Sequence, residues 1–173
     1  MIVAGPNGAG KSTLLRSLAG LLGQTSGTIE LRVDGVLAEM SESIHYVAHK
    51  EAQKAALTVR ENLGFWAKIL STGTRGISPD EALSHFALSH CADLPVGYLS
   101  AGQRRRAALA RLLIAPRPLW LLDEPATALD ARSQKCLATV MSNHLVSGGM
   151  IIAATHTPLG LDKADNLSLG ATT

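Results

Sequence analysis

Gly5-Pro6-Asn7-Gly8-Ala9-Gly10-Lys11-Ser12 decides how the rest of the chain is read. It fits G-x-x-x-x-G-K-[ST], the phosphate-binding loop called Walker A. Residues 1–4 in front of it are short and apolar, like the end of a buried strand. Behind it Leu14, Leu15, Leu18, Ala19 and Leu22 recur at helical spacing. The loop therefore lies between strand and helix, the context that gives the motif meaning. Glycines let successive backbone N–H groups turn toward one anion, and the following helix adds the positive end of its dipole. Residues 5–13, through Thr13, form the expected cradle for the phosphates of a nucleoside triphosphate. In it Lys11 would reach the β- and γ-phosphates, and the Ser12 hydroxyl would ligate Mg²⁺.

Composition bounds what surrounds this loop. At 173 residues the chain is long enough for one domain with a substantial core. A 46% hydrophobic and 17% charged content describes a globular protein, and 3% aromatics leave Leu, Ala, Val and Ile to fill the interior. The net charge of +2 is too small to imply a nucleic-acid partner, and none is expected. The two cysteines, Cys91 and Cys136, are far apart and form no C-x-x-C, so they read as reduced thiols of a cytosolic protein. No apolar run approaches membrane-spanning length.

Along the chain, strands and helices alternate. The first helix is expected to end near Gly23. Residues 28–33 alternate as a half-exposed strand, Asp34-Gly35 signals a tight turn, and a partner strand starts at Val36. Residues 44–48 read as a buried strand running into His49. Thr58-Val59-Arg60-Glu61 and Ser78-Pro79-Asp80-Glu81 are capping boxes that start two helices, the second continuing through Phe86, Ala87 and His90. A Gly/Ser/Thr-rich loop over 71–76 separates them. Residues 58–98 thus read as a helical subdomain inserted into a core of residues 1–57 and 99–173. Ser100 and Gln103 have capping-box spacing at the head of a helix reaching about Ile114, whose Arg104-Arg105-Arg106 reads as a solvated face. Leu119-Trp120-Leu121-Leu122 is a buried strand, Asp130 caps a helix to about Val146, and residues 150–154 form another buried strand. The pattern predicts an α/β fold with a mainly parallel sheet.

Catalytic groups of such sheets come from the carboxyl ends of strands. Here those ends carry the phosphate loop, Asp123-Glu124 and His156. Asp123 is the candidate for a Mg²⁺ site, Glu124 for orienting an attacking water, and His156 for donating to the γ-phosphate. A plain helix cap or salt bridge for the acidic pair, and a structural role for His156, are the blander alternatives.

Leu99-Ser100-Ala101-Gly102-Gln103 resembles the LSGGQ signature of ABC-transporter ATPases, with Ala101 in place of the first glycine. Leu121-Leu122-Asp123-Glu124-Pro125 resembles the family's Walker B, Ala128-Leu129-Asp130 its D-loop, and Thr155-His156 its switch-histidine loop. The order of the motifs matches as well. The resemblance implies a P-loop NTPase with an inserted helical subdomain and an antiparallel β-subdomain. It implies ATP hydrolysis with Mg²⁺ in a head-to-tail dimer, where ATP held by Walker A of one copy is capped by Ser100, Ala101, Gly102 and Gln103 of the other, with Asp130 nearby. It also implies integral membrane transporter subunits as partners and a peripheral position on the cytoplasmic face of the membrane. The runs 99–112, 119–125 and 155–159 are similar to the ATP-binding subunit of the haem exporter in cytochrome c maturation. An ABC ATPase of another subfamily, or a nucleotide-binding module without full turnover, remains the alternative.

Two positions depart from the family pattern. Where most members carry the Q-loop glutamine, this chain has His49, which can still contact water or a metal-bound oxygen. Family members also carry strands and an adenine-stacking aromatic before Walker A, whereas only residues 1–4 precede Gly5 here. Weak adenine binding and an incomplete, partly exposed β-subdomain are expected on that ground.

Overall fold

Short apolar runs bounded by loops become the strands of the sheet. The computed structural model describes residues 1–70, 76–161 and 164–170, so all of the expected loop over 71–76 except Gly76 lies outside the described residues. Five strands form one sheet: β1 (Ile2–Ala4), β4 (Ile44–Val47), β5 (Leu119–Asp123), β6 (Met150–Ala154) and β7 (Asn166–Ser168), in the order β4-β5-β6-β1-β7. Every pairing in it is parallel. The interior strand β5, between β4 and β6, is buried along its whole length, as a strand covered on both faces must be.

Register aligns the strand ends. Val3 and Asp123 both lie opposite Ala154, Leu122 lies opposite Val47, and Ala4 opposite Ser168. The residues that follow each strand therefore emerge side by side at one edge.

Contacts divide the chain into two compact units. The first comprises Met1–His49, Arg117–Pro125 and Met141–Thr173; the second comprises Lys50–Pro116 and Ala126–Val140, a wider stretch than residues 58–98. The first unit holds the sheet and α1 (Lys11–Leu18), which packs on β5 and β6. Its core joins Val3, Leu15, Leu31, Ile44, Leu119, Leu121 and Ala154. It also holds a two-stranded antiparallel ribbon of β2 (Arg32–Val33) and β3 (Val36–Leu37), turning at Asp34 and Gly35, both with positive φ as a type I′ turn requires. A short helix, α2 (Met40–Ser43), leads into β4.

In the second unit α3 (Val59–Leu70), α4 (Pro79–His85) and α5 (Ala101–Ile114) pack against one another. Each begins with the capping box its sequence announces. Thr58 Oγ1 accepts from Glu61 N at 3.1 Å, Ser78 Oγ from Glu81 N at 3.2 Å, and Ser100 Oγ from Gln103 N at 3.2 Å, with the carboxylate or amide reaching back each time. The last helix, α6 (Ala131–Val146), is capped by Asp130, whose Oδ1 accepts from Ser133 N at 2.8 Å.

Four expectations need correction. The helix α1 stops at Leu18, short of Gly23, because Gly20 takes φ 70° and closes a Schellman cap: Gly20 N–H bonds Ser17 O and Leu21 N–H bonds Arg16 O. The strand expected over 28–33 is only Arg32–Val33. The helix expected to run through His90 ends at His85, since Ala87 turns left-handed at φ 53° and a short 3₁₀ turn, Ser89–Cys91, follows. Arg104, Arg105 and Arg106 of α5 are not a solvated face. Arg105 is buried, Arg106 donates to the Phe86 carbonyl at 2.8 Å, and Arg104 donates to the Leu99 carbonyl.

Candidate nucleotide site

The phosphate loop follows β1 directly. Gly5, Gly8 and Gly10 all take positive φ, which curls the backbone from strand to helix. At Gly5 a side chain is excluded twice, by φ 146° and by the Leu169 carbonyl oxygen, into which a Cβ would run. The helix α1 differs from α3, α4, α5 and α6 at its head. Its N-cap is Gly10, no side chain caps it, and its first turn holds no acidic residue. The first intrahelical bond is Leu14 N–H to Gly10 O, so the N–H groups of Lys11, Ser12 and Thr13 have no partner in the helix. A helix that leaves its donors uncovered beside a glycine-rich turn is built to take an anion.

The aligned strand ends bring the predicted residues to this loop. Asn7, Gly8, Gly10, Lys11, Ser12, Thr13, His49, Asp123 and Glu124 line one open cavity of about 270 Å³. Asp123 is buried at 3% exposure at the end of β5. Glu124, next to it, adopts φ 47° and donates its N–H to Ala154 O at 2.8 Å. That left-handed backbone turns Glu124 out of strand geometry at the carboxyl end of β5.

Lys11 is 8% exposed, and its ammonium donates to Gly5 O at 2.7 Å and Pro6 O at 3.0 Å and contacts His156 Nε2 at 3.1 Å. This contact joins the phosphate loop to the residue that follows β6. His156 Nε2 also lies 3.8 Å from Glu124 Oε1. Thr155, 5% exposed, approaches Glu124 Oε2 at 3.3 Å through its hydroxyl. The sequence places Thr155 within a motif but assigns it nothing; its partner becomes visible only when β5 and β6 are paired.

Pro6 and Ala9 belong to the turn itself, where Ala9 N–H bonds Pro6 O at 3.2 Å. Ser100, Ala101, Gly102, Gln103 and Asp130 belong to the second unit. There a Cβ on Gly102 would come within 2.8 Å of Ala128 O, so this glycine also serves close packing of α5 on the turn before α6.

The family model described as ABC transporter matches residues 1–127. The cytochrome c biogenesis ATP-binding export protein CcmA of Nitrobacter winogradskyi is 53% identical over 168 residues, covering 97% of this chain and 82% of that protein. The chain belongs to the ABC transporter ATPases, of the CcmA type. CcmA of Agrobacterium fabrum is 47% identical over 173 residues, covering 98% of this ABC ATPase and 81% of its own length. A dimeric post-hydrolysis structure of the ATP-binding cassette MJ0796 bound to ADP and Pi superposes with a TM-score of 0.76 at 25% identity, covering 90% of this chain and 74% of that one. As an ABC ATPase the chain binds and hydrolyses ATP. No helix among the described residues is long and apolar enough to cross a membrane.

Proposed function

We propose that this chain is the ATP-hydrolysing subunit of an ABC exporter acting in cytochrome c biogenesis. The observation that carries it is the cavity in which the uncapped head of α1, Lys11, His49, Asp123 and Glu124 meet. The N–H groups of residues 11–13 and Lys11 bind the β- and γ-phosphates. Ser12 and Asp123 offer hard oxygen donors suited to Mg²⁺, which would neutralise phosphate charge. His156, whose Nε2 lies 3.1 Å from Lys11 Nζ, is the residue that would donate a hydrogen bond to the γ-phosphate. Glu124 orients the attacking water. His49 faces the same cavity and contributes a second imidazole beside that water.

The site is completed by a second copy. Ser100 already accepts from Gln103 N, and its hydroxyl proton remains available to a γ-phosphate held by the partner copy. The two copies would associate head to tail with ATP between them, as the dimeric form of the MJ0796 cassette suggests. Hydrolysis removes that bridge and drives integral membrane partners between two states, with this subunit peripheral on the cytoplasmic face. Haem is the cargo implied by resemblance to cytochrome c maturation exporters, and its recognition would reside in those partners. Purified chain should release phosphate from Mg-ATP. Glu124→Gln should lower kcat by at least about a hundredfold while retaining ATP binding. Unchanged turnover in that variant would remove Glu124 from the mechanism.

A further inference from the structure

The carboxylate that orients a water must itself be held, because a shift of about 1 Å in a positioning group costs roughly a hundredfold in rate. The backbone of Glu124 is anchored by its N–H bond to Ala154 O at 2.8 Å. Its carboxylate is reached from the next residue of the neighbouring strand. Thr155 Oγ1 lies 3.3 Å from Glu124 Oε2. The same hydroxyl accepts from Thr157 N at 3.0 Å, which fixes its rotamer. Thr157 O, at 3.2 Å, competes for its one proton. Glu124 Oε2 and Thr157 O thus lie at nearly equal distances from the hydroxyl, both within reach of that proton. Thr155 is 5% exposed, so water does not substitute for it.

We propose that Thr155 is a positioning residue for Glu124, a hydroxyl that holds the carboxylate toward the γ-phosphate and ties its orientation to the loop carrying His156. This inference rests on the reading of Glu124 as the water-orienting group. The ends of β5 and β6 are thereby joined twice, through Glu124 N–H to Ala154 O and through Thr155 Oγ1 to Glu124 Oε2. A displacement of the His156 loop by bound phosphate would move the hydroxyl, and with it the carboxylate.

Thr155→Val keeps the shape and removes the hydroxyl; Thr155→Ser keeps the hydroxyl. With Mg-ATP as substrate, Thr155→Val should lower kcat roughly ten- to a hundredfold and leave KM within about twofold. Thr155→Ser should return kcat to within about threefold of the parent. In a Glu124→Gln background, Thr155→Val should lower the residual rate by less than about twofold, because the two side chains act as one unit. Equal losses in the Ser and Val variants, or a full additional loss in the Glu124→Gln background, would overturn the proposal. A parent chain without turnover would sink the ATPase reading and this inference together. A parent that turns over while Thr155→Val matches it would sink the inference alone.

Discussion

Trp120 and His144 stack face to face, with ring centroids 3.7 Å apart and planes 6° from parallel. His144 Nε2 also donates to Met150 O at 3.3 Å. Burial pushes the His144 pKa down, against the opposing pull of the Met150 and Pro118 carbonyls. A histidine whose folded pKa lies below its unfolded value takes up its proton first in the unfolded chain. Its contribution is therefore present above the ordinary histidine range and is lost as pH falls through it toward the folded pKa. Acidification from pH 7.5 to 5 should lower Tm. In His144→Phe, which keeps a ring on Trp120 and removes the proton site, that fall should be smaller by roughly 1–2 °C in matched thermal melts. An equal fall in both proteins would show that the titrating group lies elsewhere. Nothing in the local sequence announces this pair, since residues 120 and 144 lie on separate elements and meet only in the folded first unit.

Helix caps were the most legible elements. Thr58, Ser78, Ser100 and Asp130 each cap the helix their spacing announces, because a capping box closes within four residues and needs no tertiary partner. Helix ends were less legible. Gly20 competed with Gly23, and Ala87 turned left-handed without a glycine, decisions made by what the chain must reach next. Cap chemistry also separates two roles at Ser100. Aspartate is as good an N-cap as serine, yet it places a negative charge where a partner's γ-phosphate would arrive. Ser100→Asp should melt within about 2 °C of the parent while losing at least roughly a hundredfold in ATP turnover. A stable Ser100→Asp protein with parental turnover would leave Ser100 as a plain cap. At Ser78, Ala should cost about 1 kcal/mol of stability and leave turnover unchanged.

At the scale of the whole molecule, the proposed head-to-tail pairing would give each copy one half of two sites: the phosphate loop in the first unit and the head of α5 in the second. ATP that cannot be hydrolysed should therefore hold two copies together. Glu124→Gln with Mg-ATP should run as a dimer in light scattering, and the same variant with ADP as a monomer. A monomer under both conditions would refute the composite site. The family motifs that suggest this were readable residue by residue, since each is a run of fewer than ten positions whose chemistry is local. The parallel sheet was readable too, because buried strands such as Leu119–Asp123 are continuous apolar runs. The short edge strand Asn166–Ser168 was not: it is exposed along its length and owes its form to pairing with β1.

The sequence by itself determined the phosphate loop, the helix starts, the buried strands and the choice of Lys11, Asp123, Glu124 and His156 as candidates. All of these depend on side-chain type and on neighbours within a few positions. The tertiary structure alone decided that His49 faces the cradle, that Lys11 meets His156 Nε2, and that Thr155 reaches Glu124. Those contacts follow from strand register. Asp123 lies opposite Ala154, and Val47 opposite Leu122, so residues more than thirty or seventy positions apart emerge together at one edge of the sheet. Register is set by the fit of whole hydrophobic faces, and no short window of sequence contains it.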